Sequence, residues 1–162
     1  VVRKAPNILI TKHRLGHVMA NAGIDASNAG PGGAGKVLLL PENPDASAEK
    51  IASALRAKFA FDAPVIISDS FGRPWRIGTV NVAIGLANIP AISDQRGETD
   101  RDGRILQATQ VAFADSVAAA AGLAMGEGAE GIPAVIVRGL NWNALPQPAN
   151  ATLRPENEDL FR

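Results

Sequence analysis

Apolar residues recur three and four apart between residues 45 and 59, at Ala48, Ile51, Ala52, Leu55 and Phe59. That spacing predicts an amphipathic helix. Asp45 or Ser47 can cap its start, and Arg56 and Lys58 suit the negative end of its dipole. Residues 109–125 read as a second, Ala-rich helix with Gly126 as its C-cap. Short apolar runs at 7–11, 17–20, 36–40, 64–68 and 133–137 read as strands, those at 36–40 and 64–68 buried. Residues 79–87 fit strand or helix. Gly, Asn and Asp mark 21–35 as loop, 70–78 as a connection, and Asp, Glu and Arg mark 93–104 as a polar loop. Three prolines between 141 and 157 predict an extended tail. Strands and helices mix without a clean alternating unit, so the expected fold is α+β, with a mixed or largely antiparallel sheet and packed helices.

The length of 162 residues suits a single domain with a real core, spanning residues 1–162, or the major part of a two-lobed protein. A compact chain of this mass exposes roughly 7,700 Å². The 16 basic and 16 acidic residues balance, which removes the general electrostatic case for nucleic acid or an anionic membrane. Cys and Tyr are absent and aromatics are few. Thiolate chemistry is therefore excluded, and a metal site would rest on oxygen ligands that suit Mg²⁺ or Mn²⁺. His13 and His17 read as structural or surface residues. Asp115, inside the second helix, reads as bonding across a helix interface or facing solvent. The chain starts Val-Val-Arg-Lys, without Met or a signal-peptide pattern.

Two glycine strings imitate phosphate motifs. GPGGAGK at 30–36 has P-loop spacing, but Val37 stands where Ser or Thr is needed, and Lys36 opens an apolar run rather than a helix. GEGAEG at 126–131 follows a helix instead of a strand, the reverse of a dinucleotide fold. It has its own chemistry, however. Helix-terminal carbonyls and the Glu127 carboxylate favour a hard cation, and the glycine turn leaves amides free for a phosphate. Asp25 follows a strand in a polar loop, and Asp69 ends a buried strand next to Ser70. Each has an ordinary use in a turn or cap. Together with Glu127 they could converge on Mg²⁺ or Mn²⁺. Arg73 and Arg76 could hold a phosphate or carboxylate, or stack on Trp75.

Five segments resemble one family: VMANAGIDASN at 18–28, LLPENPDAS at 39–47, ISDSFGRPWR at 67–76, TVNVAIG at 79–85 and GIPAVIVRG at 131–139. The family is the gamma-glutamyl ligase of coenzyme F-420 biosynthesis, CofE-like. The resemblance implies a GTP-dependent amide ligase that adds L-glutamate to the deazaflavin precursor F-420-0 through an acyl phosphate. It implies Mn²⁺ or Mg²⁺, K⁺ as activator, a homodimer and a cytoplasmic location. By motif, Asp25, Asp69, Ser70 and Glu127 would be metal ligands, with Ser70 standing where the family often has Thr. Asn28 would contact GTP, and the loop of Met125, Gly126, Glu127, Gly128, Ala129, Glu130, Gly131 and Ile132 would wrap the nucleotide. Arg73 and Arg76 are the substrate-side candidates.

The family's chain begins some tens of residues upstream, with a nucleotide-contacting loop and a Lys expected near the phosphates. This chain is therefore expected to lack that segment, which becomes a candidate partner. Two alternatives stand beside the ligase: a metal-dependent phosphatase or nucleotide hydrolase using the same carboxylates, and a truncated, non-catalytic deazaflavin-binding homologue.

Overall fold

The structure is a computed structural model that describes residues 1–30, 32 and 34–159. Its centre is a long antiparallel hairpin, β4 (Val65–Gly72) against β5 (Thr79–Ala87). The ambiguous segment 79–87 is thus a strand. Its register explains the ambiguity. Ile67 pairs with Gly85 and Ser68 with Ala83, so Ile84 is an extra, bulged residue. A bulge reverses the inside–outside alternation. Ala83 and Leu86 therefore share one face, and five consecutive residues, Ala83 to Ala87, are buried.

Helix α1 (Pro44–Phe59) covers one face, where Ala48, Ala52 and Ala87 pack with Val65 and Ile67. Its cap is Asn43, whose Oδ1 accepts from the Ala46 N–H at 3.0 Å, with Pro44 at the first helical position. Asp45, read as a cap, does other work. Its Oδ1 accepts the N–H groups of Leu86 and Ala149 at 2.8 and 3.2 Å and ties α1 to β5 and to the C-terminal segment. The approach of α1 to the strand requires Gly85, because a Cβ there would overlap the Pro44 carbonyl.

Helix α2 (Phe113–Met125) covers the other face through Ala114, which joins Ala83, Leu86, Ile89, Ala91 and Ala149. It starts four residues later than its composition predicts. Asp115 bonds across this interface as expected, its Oδ1 accepting the Ala83 N–H at 2.9 Å. Gly122 passes so close to Asn81 that a Cβ would overlap its side chain.

Around this centre lie a small antiparallel sheet, β1 (Arg3–Ala5), β2 (Ile8–Lys12) and β3 (Val18–Ala20), and a hairpin closed by β6 (Ser93–Asp94) and β7 (Gln110–Val111). The segment read as a polar loop is the body of that hairpin. Asp100 Oδ1 organises its tip by accepting from Asp102 and Arg104, and Leu106 pairs with Glu98. The tail from 141 runs extended as expected, with short 3-10 turns at Ala149–Thr152 and Glu156–Glu158.

Two expected strands are corrected. Residues 36–40 make only a single bridge, Leu38 to Asp25, and residues 133–137 make no strand. Neither is buried: Leu39 is 71% exposed and Ile136 is 77% exposed. Among the described residues, their apolar side chains find no covering layer. The described sheets are all antiparallel, so the α+β reading stands. Among the described residues, no helix is long and apolar enough to cross a membrane.

Candidate functional site

Three carboxylates from three different elements lie near enough for Asp25 and Glu127 to act electrostatically on Asp69. Asp25 follows β3 and a short turn at Asn21–Gly23. Its backbone is held by two bonds with Leu38, N–H to O at 3.1 Å and O from N–H at 2.7 Å. Its Oδ1 accepts the Ser27 N–H at 2.7 Å. The ordinary Asx-turn role is therefore real, and the second oxygen stays available.

Asp69 is half-buried on β4, opposite Val82, with its Oδ1 accepting the Ser70 N–H at 2.9 Å. Glu127 stands one residue past the end of α2. The pKa of Asp69 is raised, first by burial and then by the negative charges of Asp25 and Glu127, against the Ser70 N–H, which lowers it. Asp25 and Glu127 thus disfavour the charged form of Asp69.

The loop after α2 is tied to the Asp25 loop. Asn28 Nδ2 donates to the Gly128 carbonyl at 3.1 Å, and Asn28 itself adopts φ 51°, which Asn tolerates better than most residues. Gly126 caps the helix, its N–H bonding to Gly122 O at 2.9 Å. Its φ of 74° and the Glu130 carboxylate packed against it leave no room for a Cβ. Glu130 Oε2 in turn accepts the Gly128 N–H at 2.9 Å. Met125 and Gly126 are half-buried, while Ala129, Gly131 and Ile132 are exposed beyond them. The GEGAEG string is thus a helix cap and turn.

Other expected residues stand apart. Ser70 follows Asp69 on a strand, so its side chain leaves by the opposite face, opposite Asn81. Arg73 and Arg76 lie in the turn of the β4–β5 hairpin, where Arg73 Nη1 donates to the Gly78 carbonyl at 3.2 Å. The turn around Lys36 is exposed and precedes no helix, and positions 31 and 33 of its glycine string lie outside the described residues.

The donor chemistry fits a hard divalent cation. Carboxylates dominate the site, and bringing them together carries a repulsion that a cation would relieve. Among the described residues, no three His, Asp or Glu side chains stand close enough to cage a metal by themselves. Mg²⁺-like ions keep several waters and take one or two carboxylates plus phosphate oxygens, so a pair of these carboxylates would be enough to hold one.

His17, read as a structural or surface residue, is the buried one of these alternatives and stands beside this site. His17 is only 7% exposed, and its ring meets Phe71, two residues along β4 from Asp69, edge-on at 5.5 Å. The signal was available in the apolar residues on either side of it, which predict burial.

Residues 1–139 match the family described as F420-0:Gamma-glutamyl ligase. The chain is 46% identical to a protein of Methanopyrus kandleri named coenzyme F420:L-glutamate ligase, over all of this chain and 65% of that one. Proteins of the same name from Methanothermobacter thermautotrophicus and Methanocaldococcus jannaschii are 46% and 44% identical, again over the whole chain and 64% of theirs. The chain thus spans just under two thirds of the length of these relatives. The match runs through every element that carries the three carboxylates, and the chain belongs to the F420-0:gamma-glutamyl ligase family.

Proposed function

We propose that this chain carries the metal and nucleotide site of a GTP-dependent ligase that joins L-glutamate to F-420-0. The observation that carries this reading is the clustering of Asp69 with Asp25 and Glu127, with Asn28 joining the two loops. On this reading Asp25, Asp69 and Glu127 hold Mn²⁺ or Mg²⁺, Ser70 on the opposite face of β4 is not among the ligands, and K⁺ is an activator. The metal supplies neutralisation of phosphate charge.

The terminal phosphoryl group of GTP passes to a carboxylate oxygen of F-420-0, and GDP leaves. The amine of L-glutamate then attacks the acyl carbon. An amide forms, inorganic phosphate departs, and the amine's proton goes to phosphate or solvent. On this reading Asn28 and the turn at 125–132 hold the nucleotide, through backbone N–H groups other than those of Gly126 and Gly128, which Gly122 and Glu130 already engage. Arg73 and Arg76 supply positive charge for the acid substrate, Arg73 being fixed by its own turn.

A homodimer is part of the same reading. The chain exposes 11,627 Å², against roughly 7,700 Å² for a compact monomer of this mass. The excess includes the apolar segments 36–40 and 133–137, and a second copy would cover them.

The test is incubation of the chain with F-420-0, L-glutamate, GTP and Mn²⁺, followed by chromatography. Glutamylated product with one GDP per amide is expected. GTP consumption that ignores both acids would instead assign a nucleotide hydrolase, and metal binding without turnover a binding module. Asp69→Ala should abolish metal-dependent turnover with the fold intact, and normal activity in that variant would refute the site.

A further inference from the structure

A polar cavity lies between the β2–β3 turn and the start of α1. It holds about 350 Å³ and is lined by Arg14, His17, Glu42, Asn43, Asp45 and Asn150 around the bulged Ile84. We propose that it binds a free α-amino acid as its zwitterion, with Arg14 and His17 on the carboxylate and Glu42 on the ammonium group.

His17 is the observation that asks for a ligand. The residue is only 7% exposed, it lines the cavity, and its ring nitrogens make no hydrogen bond among the described residues, so they open onto the space a ligand would fill. Burial and the neighbouring His13 push its pKa down, with Asp115 opposing, so at neutral pH it offers one donor and one acceptor.

Arg14 is already set in place. Its Nη1 and Nη2 donate to the carbonyls of Glu42 at 2.7 Å and Pro41 at 3.2 Å, and a guanidinium carries five N–H groups, so others remain for a carboxylate. The positive end of the α1 dipole acts in the same direction. The Glu42 side chain has no hydrogen-bond or ion-pair partner among the described residues. Asp45 adds negative charge behind it, with Oδ1 engaged by Leu86 and Ala149. A phosphate or a plain dicarboxylate would meet Glu42 and Asp45 unfavourably, and a simple cation would meet Arg14. A zwitterion satisfies both signs.

The cavity also stands near the three carboxylates. Phe71 and Asp69 share one face of β4, about 7 Å apart along the strand, and Phe71 touches His17. The choice of L-glutamate among amino acids rests on the ligase reading, whereas the site itself does not.

The chain's two histidines make the test direct. The metal-free chain is titrated with L-glutamate while both imidazole signals are followed by NMR, in the wild type and in Asp69→Ala. A saturable shift of His17 larger than that of His13 is expected in both. Glutarate, which lacks the amine, and the Arg14→Gln and Glu42→Gln variants should each bind at least tenfold more weakly. An equal response to L-alanine keeps the site and removes the preference for glutamate. No saturable shift of His17 with either amino acid, or equal affinity for glutarate in the wild-type chain, overturns the proposal. Because Asp69→Ala lacks a metal carboxylate, failure of the ligase reading leaves this outcome unaffected.

Discussion

Residues 83–87 and 133–137 are both short, apolar and free of charge, and they end in opposite places. The first is buried throughout, and the second lies open, with Ile136 and Val137 exposed. The difference is not hydrophobicity. Strand β5 has β4 beside it, α1 on one face and α2 on the other, and small residues, Gly85 and Ala83, that let the helices approach. Among the described residues, 133–137 have no strand to pair with and no layer to lie under. An apolar run states a demand for burial, and only a partner of matching shape meets it.

The contrast breaks most severely at Gly85. Gly85→Ala forces a Cβ into the Pro44 carbonyl, an overpacking that costs about 3 kcal/mol. The melting midpoint should drop by roughly 6–12 °C in calorimetry. Asp45→Ala comes next. It strands the N–H groups of Leu86 and Ala149, each worth about 1–2 kcal/mol, and should loosen the C-terminal segment to hydrogen exchange. Leu39→Asn with Ile136→Asn tests the other side of the comparison. Folding stability should change by less than about 0.5 kcal/mol, while self-association measured by sedimentation should weaken tenfold or more.

The smallest effects lie in pH. The lowered pKa of His17 means that the folded state resists its protonation. Stability should fall as pH drops below 6.5, where the unfolded chain takes up the proton first, and His17→Gln should flatten that part of the profile. Asp69 has the opposite sign. Its raised pKa makes ionisation a cost to the folded state, fully present at neutral pH and relieved as pH falls toward 3.8. Asp69→Asn should therefore stabilise the metal-free chain slightly at pH 7 and not at pH 3.

Much of this was legible in the residues. The three-and-four spacing located α1, and Ala-rich composition with Gly126 located α2 and its end. The position of Asp25 after a strand and of Glu127 past a helix was legible, whereas Asp69, read as ending its strand, lies inside β4, which runs on to Gly72 through its pairing with β5. The bulge at Ile84 was not legible, since it depends on register with β4. The hairpin at 93–111 was hidden for a related reason: its bonds come from Asp100 and backbone pairs rather than from apolar alternation. The cap at Asn43 lost to Asp45 and Ser47 because all three residue types cap helices, and only Pro44 at the first turn distinguishes them. The pairing of Arg14, His17 and Glu42 around one cavity draws on segments far apart in sequence, and periodicity carries no information about such meetings.

The central claim is that Asp25, Asp69 and Glu127 form one cation site. Thermal unfolding of the chain with and without Mn²⁺, repeated on Asp69→Asn, tests it most directly. At 100 times the dissociation constant a ligand stabilises by about 2.7 kcal/mol, so the wild-type midpoint should rise by roughly 5–10 °C, further still with GTP, and the variant's midpoint should not move. An equal Mn²⁺ response in the wild type and Asp69→Asn, or none in either, would contradict it.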